Sequence, residues 1–114
     1  MAIKAGKMAT GLLMVMTDIP SDKEDEFNHW YNEEHLADLM AIPGVLSAAR
    51  YVAVSGGPKY LACYDLETPQ VMDSPGFRRL RQNPSEWSKR MSPRVIGTNY
   101  VSNAYRQIFP DGPT

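Results

Sequence analysis

Two kinds of side chain that rarely share one helix face do so between positions 27 and 38. Phe27, Trp30 and Tyr31 are aromatic, while Glu34, His35 and Asp38 can gain or lose a proton. With Phe27 at zero and 100° per residue, Trp30 falls near about −60°, Tyr31 near about +40°, Glu34 near about −20°, His35 near about +80° and Asp38 near about +20°. Leu36, Leu39 and Met40 form the opposite apolar arc, and His29 points away from the aromatic centre. A helix that only packs would carry Leu or Val at 34 and 38, because an ionised carboxylate buried without a partner is costly. The pattern therefore predicts either a polar cavity walled by rings, or rings lying beside solvent-exposed carboxylates.

In such a cavity desolvation would raise the carboxylate pKa values, and a nearby histidine would oppose that shift. A carboxylate–histidine pair of this kind suits proton transfer at neutral pH. His35 is the candidate general acid or base, with Glu34 or Asp38 tuning or orienting it. The competing reading is an exposed acidic stripe beside a histidine that donates to a backbone carbonyl.

Tyr60 and Tyr64 fall on one face of a strand, and Tyr51 lies in its hairpin partner. Their hydroxyls are expected either to enter the pocket as donors or to reach water at the sheet edge. With Phe27, Trp30 and Tyr31 they make the candidate substrate-binding set. Arg50 and Arg106 are further candidates to hold a substrate carboxylate. The basic cluster Arg78, Arg79, Arg81, Lys89, Arg90 and Arg94 reads as a solvated helix face with some ion pairs.

Other chemistries find little support. His29 and His35 lie on different sides of the helix, and there is no HExxH pattern, so no metal site is expected. Cys63 is the sole cysteine and offers neither an internal disulfide nor a thiolate cluster. No glycine-rich phosphate loop or Gly-x-Ser-x-Gly elbow is present, and no cofactor is expected. The formal net charge of −1 argues against a broad nucleic-acid surface. The apolar run at positions 12–16 is too short to span a membrane, so a cytoplasmic protein is expected.

The elements that must position these residues follow from periodicity and punctuation. Positions 11–17 read as a strand that is apolar on both faces, with Leu12, Met14 and Met16 on one and Leu13 and Val15 on the other. Ser21 or Asp22 can cap the helix, which runs to about Met40 and stops at Ile42-Pro43-Gly44. Strands are expected at about Val45–Val54 and Lys59–Leu66, joined at Ser55-Gly56-Gly57-Pro58 into a hairpin. Thr68-Pro69, Ser74-Pro75 and Asn83-Pro84 are successive helix starts, which means a broken helical region. Asn99–Phe109 reads as the last strand.

The order is β-α-β-β-α-β, a ferredoxin-like α+β arrangement: an antiparallel sheet with helices on one face. All 114 residues fit one domain, with a loose N-terminal arm at 1–9 and a tail at 110–114. The sheet's other face is still apolar, and a second copy of the chain is the simplest cover for it. A homodimer is therefore expected, with no membrane partner.

The segment from Phe27 to Leu39, continuing through Ile42-Pro43-Gly44-Val45, resembles the dimeric α+β barrel superfamily, in particular EthD-like small proteins. A Trp-Tyr-x-x-Glu-His-x-x-Asp helix leads into a Pro-Gly turn in that group, and the likeness extends through Gly56-Gly57-Pro58-Lys59-Tyr60-Leu61 to Ser74-Pro75. The resemblance implies a homodimer with sheets packed face to face and a pocket between sheet and helices in each subunit. By the same resemblance His35 matches the recurrent histidine, and Trp30, Tyr31, Glu34 and Asp38 match its neighbours. The expectation is a cofactor-independent enzyme of isomerase, cyclase or decarboxylase type, acting by proton transfer on an aromatic, polyketide-like, lactone or enol metabolite. The alternatives are a non-catalytic metabolite-binding or accessory protein, and a haem-binding protein or cofactor-free monooxygenase. The Asn, Trp and His set of the haem-degrading branch is placed differently from Asn28 and Trp30.

Overall fold

Strand alternation, helix punctuation and one glycine turn account for most of the architecture. It is described from a computed structural model, over residues 9–110. Strand β1 (Gly11–Asp18) leads through a 3-10 turn (Ser21–Lys23) into helix α1 (Glu24–Trp30). The helix continues as a π-helical turn (Tyr31–His35) and then as α2 (Leu36–Met40). Strands β2 (Val45–Val52) and β3 (Tyr60–Leu66) form the hairpin. A 3-10 segment (Pro69–Asp73) and three short helices follow: α3 (Pro75–Gln82), α4 (Glu86–Met91) and α5 (Pro93–Ile96). Strand β4 (Thr98–Arg106) ends the fold.

The sheet is antiparallel throughout, in the order β2-β3-β1-β4. Leu13 lies opposite Tyr64 and Ala104, and Val15 opposite Ala62 and Ser102. This register sets one face against the helices, where Leu13, Ala62, Tyr64 and Leu66 join Phe27, Trp30, Leu39, Phe77 and Met91 in one core. The opposite face presents Leu12, Met14, Met16, Leu61, Val101 and Tyr105, none fully buried in the single chain. The expected ferredoxin-like α+β fold is therefore the observed one.

Local differences have physical causes. No side-chain bond from Ser21 or Asp22 caps the helix; the chain enters instead through the 3-10 turn, with Lys23 N–H bonded to the Pro20 carbonyl at 2.9 Å. The broken helical region is finer than its punctuation suggested. Asn83 closes α3, and it is Ser85 that caps α4 by accepting from Ser88 N–H at 3.0 Å. A fourth start, Ser92-Pro93, had gone unread; there Ser92 Oγ accepts from Arg94 N–H at 3.3 Å.

Gly44 turns the chain from α2 into β2 with φ of +96°. A Cβ there would stand 2.5 Å from Val71 Cγ2, so both backbone and space require glycine. Positions 1–8 of the expected arm and 111–114 of the expected tail lie outside the described residues, whereas Ala9 is buried. Among the described residues no helix is long and apolar enough to cross a membrane.

Candidate functional site

The site begins with the π turn. Leu36 N–H bonds to the Tyr31 carbonyl, five residues back instead of four. On an ideal α-helix positions 30 and 35 would diverge by about 140°. Here the Trp30 and His35 rings stack with centroids 4.5 Å apart and planes inclined by 22°. Tyr31 meets the same imidazole edge-on, at 4.9 Å and 88°. The rings fix the orientation of His35, and π turns of this kind recur at functional sites.

Tyr31 reaches from the π turn to the sheet. Its hydroxyl and that of Tyr64 share a hydrogen bond of 2.5 Å, with both side chains buried. Burial pushes the Tyr31 phenol up to about 12, against the opposing bond from Tyr64 and the charge of Arg50. Tyr64 is raised as well, first by burial and then by Tyr31. Both phenols stay protonated at neutral pH. Only one can donate into the shared bond, so the other proton is available to a third oxygen.

His35 is also held neutral. Burial lowers it to about 4, Glu34 opposes that shift, and Arg50 adds to it. Its Nδ1 is buried and has no hydrogen-bond partner among the described residues. The competing expectation, an Nδ1 that donates to a backbone carbonyl, does not describe this ring. A buried, unsatisfied nitrogen is uncommon and calls for a cause, such as a ligand group.

The carboxylates behave differently from each other. Glu34 accepts from Ser85 Oγ at 2.7 Å, Ser88 Oγ at 3.1 Å and Trp30 Nε1 at 3.0 Å. The Ser85 bond, then those of Ser88 and Trp30, hold it below the usual carboxylate range despite burial. The expected upward shift is thus reversed at Glu34, because three donors replace the lost water. Asp38 is raised, by burial and then by the charge of Glu34. Glu34 pins the indole that lies flat on His35, so it orients the imidazole through Trp30.

A cavity of about 460 Å³ opens between the sheet and the short helices. Its floor includes buried Trp30, Tyr31, Tyr64, Leu13, Leu39 and Phe77, with His35 beside them. Of the nine expected site residues, four line it: His35, Trp30, Tyr31 and Tyr64. Glu34 and Asp38 do not line it. Phe27 is fully buried in the core behind it. Tyr51 is 55% exposed, on the sheet face away from the helices.

Tyr60 serves a separate polar network. Its hydroxyl donates to Glu24 at 3.1 Å and accepts from Asn28 Nδ2 at 3.2 Å. Arg50 belongs there as well. It donates to Asn28 and Asn32 at 2.8 Å each and lies 4.4 Å over the Tyr31 ring. Arg106 does not line the cavity. Sequence reasoning missed Ser88, Tyr100 and Ser102, and it read Arg81, Lys89 and Arg94 as solvated. The caps at Ser85 and Ser92 were the available signal that α4 and α5 bend around a space.

No protein-family model and no curated protein matches this chain. Solved structures do share its fold. The haem-degrader MhuD of Mycobacterium tuberculosis aligns with 12% identity and a TM-score of 0.61, over 88% of this chain and 97% of that one. An ethyl tert-butyl ether degradation (EthD) family protein of Bacillus halodurans aligns with 16% identity and a TM-score of 0.59, over 87% and 99%. SnoaB, a cofactor-independent oxygenase of Streptomyces nogalater, aligns with 17% identity and a TM-score of 0.59, over 90% and 99%. These structures share the α+β fold of this chain, a four-stranded antiparallel sheet with helices on one face.

His35 couples the site to stability. An unfolded histidine takes up its proton near 6.5, whereas the folded one resists until about 4. Between those values the unfolded chain binds the extra proton, so stability falls as pH falls, by up to about 3 kcal/mol. Urea unfolding of wild type and His35→Gln across this window is expected to show the larger loss in wild type. Equal slopes would mean that His35 is not held neutral by burial.

Proposed function

We propose that this protein is a cofactor-independent enzyme that enolises a small aromatic or polyketide-like carbonyl compound in the cavity over His35. The observation that carries the reading is the buried Tyr31–Tyr64 hydroxyl pair, bonded at 2.5 Å, in the same cavity as a neutral His35. A neutral imidazole takes a proton from the carbon next to the carbonyl. The electron pair moves to the carbonyl oxygen, and the free proton of the phenol pair holds that oxygen by hydrogen bonding. Returning the proton at another carbon completes an isomerisation; attack on an internal electrophile completes a cyclisation.

The basicity of His35 narrows the substrate. A base of pKa about 4 is some three units weaker than one matched to pH 7, a deficit of about 4 kcal/mol in proton affinity. It suits an acidified carbon flanked by two carbonyls or by a hydroxylated ring system, not a simple ketone. One fold relative is named a cofactor-independent oxygenase, so chemistry without a cofactor has a precedent on this fold.

A haem-type ligand is the second reading, because another fold relative degrades haem. The residues are compatible in kind: His35 would supply a nitrogen to the iron, and Arg81, Lys89 and Arg94 would meet the carboxylates of the ring's side chains. When bound, the iron would supply the oxygen chemistry. The phenol pair favours the first reading, since haem ligation gives it no task whereas an enolate oxygen needs a donor.

The outer sheet face supports a homodimer. Leu12, Met14, Met16 and Leu61 share that face, and a second copy would bury them.

Four outcomes are expected. In a panel of aryl 1,3-dicarbonyl compounds and hydroxylated anthrones, turnover falls at least about a hundredfold in His35→Gln. The wild-type rate stays level with falling pH until about 4, where His35 protonates. Ligand binding without conversion in any panel member would establish the binding-protein alternative instead. Haem titration is expected to leave no shifted Soret band; a saturable shift lost in His35→Gln would install the second reading. Sedimentation is expected to report a dimer that Met14→Lys with Leu61→Lys converts to monomer; a wild-type monomer would remove the face-to-face assembly.

A further inference from the structure

The rim of the cavity is cationic. Arg81, Lys89 and Arg94 come from α3, α4 and α5, three separate elements, and line one opening. Among the described residues no Asp or Glu lines it. The chain as a whole carries a formal net charge of −1, so this excess is local.

The three cations are not equivalent. Lys89 Nζ stands 2.9 Å from Glu86, which offsets its charge. Arg81 donates to the Met72 carbonyl at 2.6 Å and lies 5.2 Å from the Phe77 ring. Arg94 lies 5.9 Å over the ring of Tyr100, another lining residue. Neither arginine has a carboxylate partner among the described residues. A carbonyl and a ring face orient a guanidinium but leave its charge free for an oxyanion. By contrast Arg90, from the same sequence cluster, is paired with Glu26 and does not line the cavity.

We infer that the cavity selects aromatic ligands bearing a carboxylate, with the ring system over Trp30 and Phe77 and the carboxylate at the Arg81–Arg94 rim. The inference rests on the reading of this cavity as a small-molecule site. An apolar floor with few polar groups at one end is the usual design of such a site: the floor supplies affinity and the polar groups set orientation. The guanidinium fork matches the two carboxylate oxygens in plane. At the same time the rim is solvated, so salt screens its contribution. The bound orientation would direct the end of the ring system away from its carboxylate toward His35 and the phenol pair.

The test uses two probes of the same ring and size, 2-naphthoate and its neutral amide, 2-naphthamide. Each is titrated into the full chain while the Trp30 indole N–H resonance is followed by NMR. The carboxylate is expected to bind about tenfold tighter, and added salt to erode that preference. Arg81→Gln and Arg94→Gln are expected to bring naphthoate toward naphthamide and to leave naphthamide unchanged. Both residues are exposed, so neither substitution threatens the fold. Equal affinities, with Trp30 shifted by both probes, would overturn the carboxylate inference and leave the cavity reading standing. A preference that survives in the double variant would overturn the rim assignment. If neither probe moves Trp30, the cavity reading fails first and this inference with it.

Discussion

An α-helix cannot lay the ring at position 35 upon the ring at position 30. Five steps of 100° leave the two side chains on nearly opposed faces. The π turn at Tyr31–His35 removes that separation, and the rest of the site depends on it. The same turn supplies Tyr31, edge-on to His35 and bonded to Tyr64, and Glu34, which takes the Trp30 N–H. π-helical winding is rare because its backbone hydrogen bonding is poorer, so something must offset the loss. The ring stack contributes about 0.5–1.5 kcal/mol, and each of the side-chain hydrogen bonds about 1 kcal/mol. Of these, the Trp30–His35 stack requires the π register, so it selects the register as well as stabilises it.

Charge is kept out of the centre of the site. The groups on the cavity floor that can ionise, His35, Tyr31 and Tyr64, are all held neutral by burial. The nearest charges are turned away. Glu34 is spent on Trp30, Ser85 and Ser88. Arg50 lies over the outer face of Tyr31 and donates to Asn28 and Asn32. This division follows from desolvation costs: a neutral donor or acceptor can be buried for the price of one hydrogen bond, a charge cannot. It leaves the floor chemically competent but uncharged, so charge that develops on a ligand meets fixed dipoles rather than competing ions.

Much of this was legible in the residues. The apolar pattern of Leu12–Met16 marked β1 as a strand with two apolar faces, and the sheet order places it between β3 and β4. Thr68-Pro69, Ser74-Pro75 and Asn83-Pro84 marked a broken helical region. The aromatic–acid mixture marked the helix whose Trp30, Tyr31 and His35 line the cavity. The wheel failed at the π turn, because it assumes 100° per residue through a stretch that winds more slowly. Separately, the downward shift of Glu34 was not foreseen, because its partners Ser85 and Ser88 lie more than fifty residues away and are invisible to local spacing. Tyr60 and Tyr64 share a strand face, yet only Tyr64 reaches the cavity. Four residues along a strand are roughly 13 Å, enough to carry Tyr60 to the Glu24–Asn28 end of the helix. The basic cluster was visible as a cluster, but which of its members turn inward depends on how α3, α4 and α5 dock.

That docking makes access to the cavity and alignment of His35 two aspects of one arrangement. The outer wall consists of helices of eight, six and four residues, none long enough to persist without tertiary contacts. Helix α4 is tied to α1 and the π turn at two places. Glu26 accepts from Trp87 Nε1 and pairs with Arg90, and Glu34 accepts from Ser85 and Ser88. Glu34 also holds Trp30, and Trp30 holds His35. A displacement that lifts α4 to admit a ligand must break the serine bonds to Glu34. It leaves that carboxylate with Trp30 and water, and it removes the Ser88 hydroxyl that also accepts from the indole at 3.2 Å. The imidazole is then less firmly placed while the wall is open and regains its orientation when the wall closes. One carboxylate that does not line the cavity thus links the short helices of the outer wall to the residue proposed to do the chemistry.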